Sequence, residues 1–305
     1  MRLGETGSPF PPAVRFVTVS FRYNTYWEIL MIPNVTSKIL VKSGPKPGPT
    51  VAVFAGVHGN EPVGVLAMSQ LWPTLSPSSG TLYLAYANPP AIRENRRSVG
   101  GNLNRCFVSG NEGVGYEDRR ARELMSLLDK CDALLDLHAF NEPTGQPFII
   151  CEDNALPVAT KMEPVIISTN WAMSEPGAAD GYMYQQGKIG LCLECGPLGR
   201  PDQYLDVAKK SVMQFLQHFE IVDRQVPDSG TSKTVVRSTH SLIRTSPDFY
   251  LDPSLRSFDE LRPGKLIGRH AGQQIVARAG DIIMFPRPRA SIGTEAYILG
   301  RKQPV

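Results

Sequence analysis

At 305 residues the chain is long for one domain and ordinary for two, so length favours one large domain with a smaller companion. Its 42% hydrophobic and 20% charged content is that of a soluble globular protein with material for a substantial core. A net charge of +3, a densest basic patch only five residues long (Arg93 to Arg97) and no apolar run near the ~20 residues of a membrane span argue against nucleic acid and membrane as partners.

In chain order, short β-rich runs come first, at 14–20 ("VRFVTVS"), 28–32 ("EILMI") and 38–44 ("KILVKSG"). "PKPGPT" is expected to break the chain before "VAVFAG" (51–56), a continuous apolar run that suits a strand buried on both faces. Pro62 fits the first turn of a helix over about 62–72. Further strands are expected at 80–88, 133–138, 147–151, 165–169 and 189–194, an amphipathic helix at 117–130, and a long covering helix at 202–222. Strands alternating with helices predict an α/β fold with a mixed, largely parallel sheet flanked by helices. The polar stretch 223–233 reads as a linker, and the short strands and glycine-proline turns beyond it predict a small C-terminal β-domain. The expected division is 1–228 and 229–305. The N-terminus lacks the apolar segment of a secretory signal, and five cysteines without one are expected as free thiols in a reducing, cytoplasmic setting.

Ligands of open α/β sheets gather at the carboxyl ends of strands. His58 follows "VAVFAG", His138 follows "ALLDL", Glu194 closes "IGLCLE", and Glu61 lies one helical turn after His58. A His-x-x-Glu pair with a distant histidine matches a catalytic zinc set that keeps one position open. Glycines 56, 59 and 64 would let the backbone aim both near ligands at one point. The residues alone leave open the plainer alternative, in which His58 caps a turn and Glu61 starts a helix. Cys192 and Cys195 form C-x-x-C, but three residues apart on a strand they point to opposite faces. His218, His240 and His270 are expected as surface or structural histidines.

"AGVHGNE" (55–61), "NLNRCF" (102–107), "DLH" (136–138) and "LECGP" (193–197) resemble, in order, the motifs of the succinylglutamate desuccinylase/aspartoacylase family, relatives of the zinc carboxypeptidases. The likeness continues through "RPGKLIG", "AGDIIMFPRP" and "GTEAYILG", and so covers the chain from about residue 50 to its end. The resemblance implies a zinc carboxypeptidase-like sheet with the β-domain capping the cleft, and one Zn²⁺ per chain held by His58, Glu61 and His138. It further implies Glu194 as general base, Arg97 polarising the scissile carbonyl in preference to Arg93 or Arg96, and Asn104 and Arg105 gripping an α-carboxylate. Tyr297 would reach into the pocket. The implied partner is a small N-acyl amino acid-like substrate; a homo-oligomer is left open. Rival readings are a carboxypeptidase-type peptidase and a non-catalytic zinc- or carboxylate-binding protein.

Two departures stand out. Asn102 replaces the family's aspartate, which is expected to weaken support of the arginines. Tyr184 stands ten residues before Glu194, where aspartoacylase has an arginine for an acidic side chain, and the nearest cation is Lys188. A neutral or aromatic side chain is therefore expected, and N-acetylaspartate is not.

Overall fold

Five consecutive side chains, Val51 to Ala55, have no exposure to solvent. The strand that carries them, β2 (Lys46–Ala55), must therefore be covered on both faces. The computed structural model describes residues 39–172 and 175–304. The expected strands at 14–20 and 28–32 lie outside the described residues. β1 (Ile39–Ser43) pairs antiparallel with β3 (Ser79–Tyr86) at the sheet edge. Neighbouring β2 in parallel are β3 and β4 (Ala133–Phe140), and β4 in turn pairs in parallel with β7 (Ile189–Pro197).

β2 starts at Lys46, inside the "PKPGPT" stretch expected to interrupt it. The register against β3 is broken between Lys46 and Thr50, so the prolines, which lack a donor, fall where the ladder is irregular.

Beyond β7 the sheet continues through β5 (Phe148–Cys151), antiparallel to β7, then β6 (Ile166–Thr169) and β8 (Thr234–Ile243) in parallel. Antiparallel β14 (Glu295–Gln303), β13 (Ile282–Met284) and β10 (Asp259–Glu260) complete eleven strands. A separate antiparallel sheet orders β12 (Gln273–Val276), β11 (Leu266–His270) and β9 (Tyr250–Leu251). The fold is thus the expected mixed α/β sheet with C-terminal antiparallel structure. The 228/229 position lies in the connection that leads into β8, and hydrogen bonding runs from β6 through β8 into the C-terminal strands.

Helices Tyr116–Leu128 and Ala179–Gln185 bury Leu124, Leu128, Tyr182 and Met183 against Ala52, Phe54 and Leu134. Helix Pro62–Leu71 packs with the long helix Pro201–His218. Among the described residues no helix is long and apolar enough to cross a membrane.

Of the three glycines expected to shape the β2 turn, Gly56 supplies a φ of 70°. Gly59 and Gly64 serve close packing instead. A Cβ on Gly64 would lie 2.6 Å from the Leu137 Cβ, and one on Gly59 would lie 2.0 Å from the Ala91 carbonyl carbon. Since the obstacle at Gly59 is backbone, Gly59→Ala is expected to cost roughly 1–3 kcal/mol or more of stability. Denaturant unfolding measures this, and an unchanged midpoint would contradict it.

Candidate active site

Parallel pairing brings the three strand ends together. Ala55 of β2 pairs with Leu137 of β4, and His138 pairs with Glu194 of β7, so the two side chains share a face. Both residues lie within their strands, since β4 runs on to Phe140 and β7 to Pro197. The pairing of β4 with β7 is irregular just after His138. His58 and Glu61 reach the same point from the turn after β2, where the Glu61 amide donates to the His58 carbonyl at 3.2 Å. Glu61 occupies the N-cap position of helix Pro62–Leu71, but its side chain makes no cap hydrogen bond. The turn and the inward side chains therefore coexist.

An oxygen stands behind each ring, at its Nε2. His58 Nε2 is 2.9 Å from Asn102 Oδ1, an oxygen that also accepts the Asn104 amide at 3.1 Å. An amide oxygen only accepts, so Nε2 carries the proton and Nδ1 presents a lone pair. His138 Nε2 faces Asp136 Oδ2 at 2.8 Å and its Nδ1 faces Glu61 Oε2 at 3.1 Å, so a carboxylate stands at each nitrogen, and with the proton held at Nε2 the Nδ1 lone pair points at Glu61. His58 Nδ1 stands 2.9 Å from Glu61 Oε1 without a hydrogen bond. With both rings neutral, two lone pairs and a carboxylate converge in a buried space, and only positive charge makes that arrangement favourable. Burial disfavours charge on Glu61, yet the imidazoles outweigh it and hold the carboxyl well below its usual range. Burial lowers the His58 pKa. It opposes charge on His138 too, but Asp136 and Glu61 prevail there and raise that histidine's pKa well above 6.5. A proton shared this way occupies the place a divalent ion would take. His58, Glu61 and His138 offer ligand atoms within 4.8 Å of one another, and theirs is the one such group found among the described residues. The donor set therefore fits a metal of the zinc type, with each histidine held from behind by an oxygen as metal-ligating imidazoles are.

A cavity of about 480 Å³ opens on this group. Arg97, Asn104, Arg105 and Glu194 line it with the three ligand candidates. Arg97 Nη1 donates to Glu61 Oε1 at 3.1 Å. Arg96 is bound to Glu94 and, like Arg93, is not part of the lining. Asn104 Oδ1 accepts the Ala179 amide at 3.1 Å, which leaves its Nδ2 donor for a ligand. Arg105 is ion-paired with Glu175, also in the lining. Glu194 is buried, its Oε2 has no partner, and burial pushes its pKa up to about 8.

Tyr297 is placed elsewhere. It is 2% exposed, packs with Leu251, Ile283 and Ala296, and does not line the cavity. The C-terminal strands instead supply Phe285, Pro286 and Arg287. Phe285 holds a φ of 47°, and its amide donates to Ser257 Oγ, which Glu142 binds in turn. Tyr184 is exposed and Tyr182 hydrogen-bonds Asp129, so neither tyrosine of "GYMYQQ" walls the cavity; Lys188 donates to the Leu128 and Asp129 carbonyls. The helix that carries these tyrosines, Ala179–Gln185, contributes Asp180 and Gly181 from its first turn. Asn102 supports His58, where the sequence pointed to the arginines. Cys192 and Cys195 are separate free thiols, and among the described residues His218, His240 and His270 belong to no metal-capable group.

Asp136, Glu117 and Asp180 were not singled out from the sequence. Asp136 had a signal, being two residues before His138 on the same strand face. Glu117 accepts the amides of Val99, Gly100 and Gly101 and so pins the loop between Arg97 and Asn102. If the group holds a divalent metal, Asn102→Ala is expected to weaken its binding about 10–100-fold by releasing the His58 ring. Chelator competition reads this directly, and unchanged affinity would contradict it.

The succinylglutamate desuccinylase/aspartoacylase catalytic domain model matches residues 47–219. Succinylglutamate desuccinylase of Pseudomonas aeruginosa is 26% identical over 279 residues, covering 83% of this chain and 84% of that protein. The N-acyl-aromatic-L-amino acid amidohydrolase (carboxylate-forming) of Rattus norvegicus is 27% identical over 276 residues, covering 79% and 85%. The solved succinylglutamate desuccinylase structure from Vibrio parahaemolyticus shares the fold, with a TM-score of 0.72 at 15% identity over 92% of this chain and 95% of that one. The chain belongs to the succinylglutamate desuccinylase/aspartoacylase family of deacylases.

Proposed function

We propose that the chain is a zinc-dependent amidohydrolase that cleaves the amide of a small N-acyl amino acid with water. The observation that carries this is the convergence of two imidazole lone pairs and the Glu61 carboxylate beside an unpartnered buried acid, Glu194. His58, Glu61 and His138 would hold the ion. When bound, it supplies Lewis acidity and brings the pKa of a water molecule toward neutrality.

The residues perform the remaining steps. Asn104 and Arg105 bind the α-carboxylate, whose bidentate geometry matches the guanidinium fork. To do so the substrate displaces Glu175, which holds Arg105 in its absence. Arg97, half exposed at the cavity wall, turns to the acyl oxygen and stabilises the charge that develops there. Glu194 takes the proton of the attacking water and returns it to the departing nitrogen as the C–N bond breaks. Positive charge next to Glu194 favours its ionised form against the effect of burial.

A cavity of about 480 Å³, with Phe285 to Arg287 forming one wall, suits a small molecule better than a long peptide. This favours the deacylase over the peptidase reading. A non-catalytic binder would have no use for Glu194.

Glu194→Gln keeps the shape of the side chain and removes the base. It is expected to lower kcat about 10²–10⁴-fold while one zinc per chain is retained. Single-turnover kinetics with metal analysis test this; full activity in the variant, or loss of metal together with activity, would contradict the role. Tripeptides should be turned over far more slowly than N-acyl amino acids, and comparable rates would favour the peptidase.

A further inference from the structure

Four of the five lining carboxylates already have a task or a partner. Glu61 belongs to the metal group and Glu194 to proton transfer; Glu175 pairs with Arg105, and Glu142 with Ser257. The fifth is Asp180. Among the described residues no side chain pairs with it; its hydrogen bonds come from the backbone at Asp180 and Gly181.

Its position is fixed on three sides. Its neighbour Ala179 donates to Asn104 Oδ1 at 3.1 Å, and Phe107 donates to the Gly177 carbonyl at 3.1 Å. A Cβ on Gly177 would lie 2.4 Å from the Arg105 carbonyl oxygen, and one on Gly190 2.2 Å from that of Asp180. The segment that carries Asp180 therefore lies directly against the two residues that would grip the α-carboxylate. The lining includes the small, neutral Ala178, Gly181 and Cys192, while the charges that act on Asp180 are Asp136, His138 and, across the α-carboxylate position, Arg105.

Asp180 lines the same cavity as Asn104 and Arg105, so a substrate held there by its α-carboxylate would bring its own side chain toward Asp180. We propose that Asp180 is the specificity-determining residue of this pocket and selects N-acylated diamino acids, whose side chain ends in an ammonium group. This rests on the deacylase reading above. An ammonium group neutralises the carboxylate and donates to it. A methyl group in the same place displaces water from the carboxylate without offering it a counter-charge, and an acidic side chain meets like charge. Burial, with Asp136 nearby, raises the Asp180 pKa to about 6, which leaves it ionised at pH 7.5. The absence of an arginine ten residues before Glu194 agrees with this choice of charge.

The test compares kcat/KM for Nα-acetylornithine, its near-isostere Nα-acetylnorleucine and Nα-acetylglutamate, using zinc-loaded wild type and Asp180→Asn. Wild type should prefer the cationic substrate at least tenfold over each of the others, and Asp180→Asn should reduce that ratio at least tenfold. Equal or better turnover of the neutral or acidic substrate would overturn the assignment. So would a proportional loss on all three in the variant, the mark of a structural role. Calorimetric binding of the same compounds to zinc-loaded Glu194→Gln separates the two readings. Cation-selective binding without any wild-type turnover would refute the deacylase and keep Asp180 as the selector. Turnover without cation preference would refute only Asp180, and neither binding nor turnover would refute both.

Discussion

The structure turns on one buried carboxylate. Glu61 is surrounded by His58, His138, Arg97 and the Ala139 amide, with the Nδ1 atoms of the two imidazoles turned toward it while Asn102 and Asp136 stand at their opposite nitrogens. A desolvated anion facing two lone pairs is unstable unless positive charge sits among them. Asp136 and Glu61 raise the pKa of His138 well above its usual value against the effect of burial, which is the same demand for positive charge. The proposed metal ion would meet that demand and would give the neighbouring acid, Glu194, a purpose.

The rest of the fold serves to hold that geometry. The β4–β7 register places His138 and Glu194 side by side, and the tight passage of Gly59 over Ala91 brings in the His58 turn. Glu117, buried at the start of its helix, gathers three backbone amides of the loop between Arg97 and Asn102. The Glu142–Ser257–Phe285 contacts tie the loop after β4 to the C-terminal strands, so the cavity wall is set from both parts of the sheet. Phe285 adopts a positive φ there, backbone strain of the kind that the surrounding structure must impose.

Much of this was legible in the sequence. Apolar runs buried on both faces, such as "VAVFAG" and "ALLDL", mark parallel strands whatever the tertiary context, and the polar residues that follow them fall at the carboxyl edge. The alternation of strand and helix was enough for the fold class. Strand ends were less legible: β4 and β7 run two or three residues past His138 and Glu194 because the pairing survives an irregularity that no residue type announces. Tyr297 was misplaced for a related reason. Residues 295–298 of β14 are all buried, so no alternation of polar and apolar positions tells which face meets the cavity. Counting ten residues back from Glu194 reached Tyr184, which is exposed and outside the cavity, whereas Asp180, one helical turn earlier, lines it. The tasks of Asn102 and Glu117 depend on contacts across loops and have no spacing signature.

The central claim is that two imidazole nitrogens and a carboxylate oxygen share one ion. Zinc K-edge X-ray absorption on the purified, stoichiometrically loaded protein tests it most directly. The account predicts nitrogen and oxygen scatterers at about 2.0–2.2 Å with the multiple-scattering signature of two imidazoles, one of them lost in His138→Ala. Sulfur at about 2.3 Å, or a spectrum that His138→Ala leaves unchanged, would contradict it.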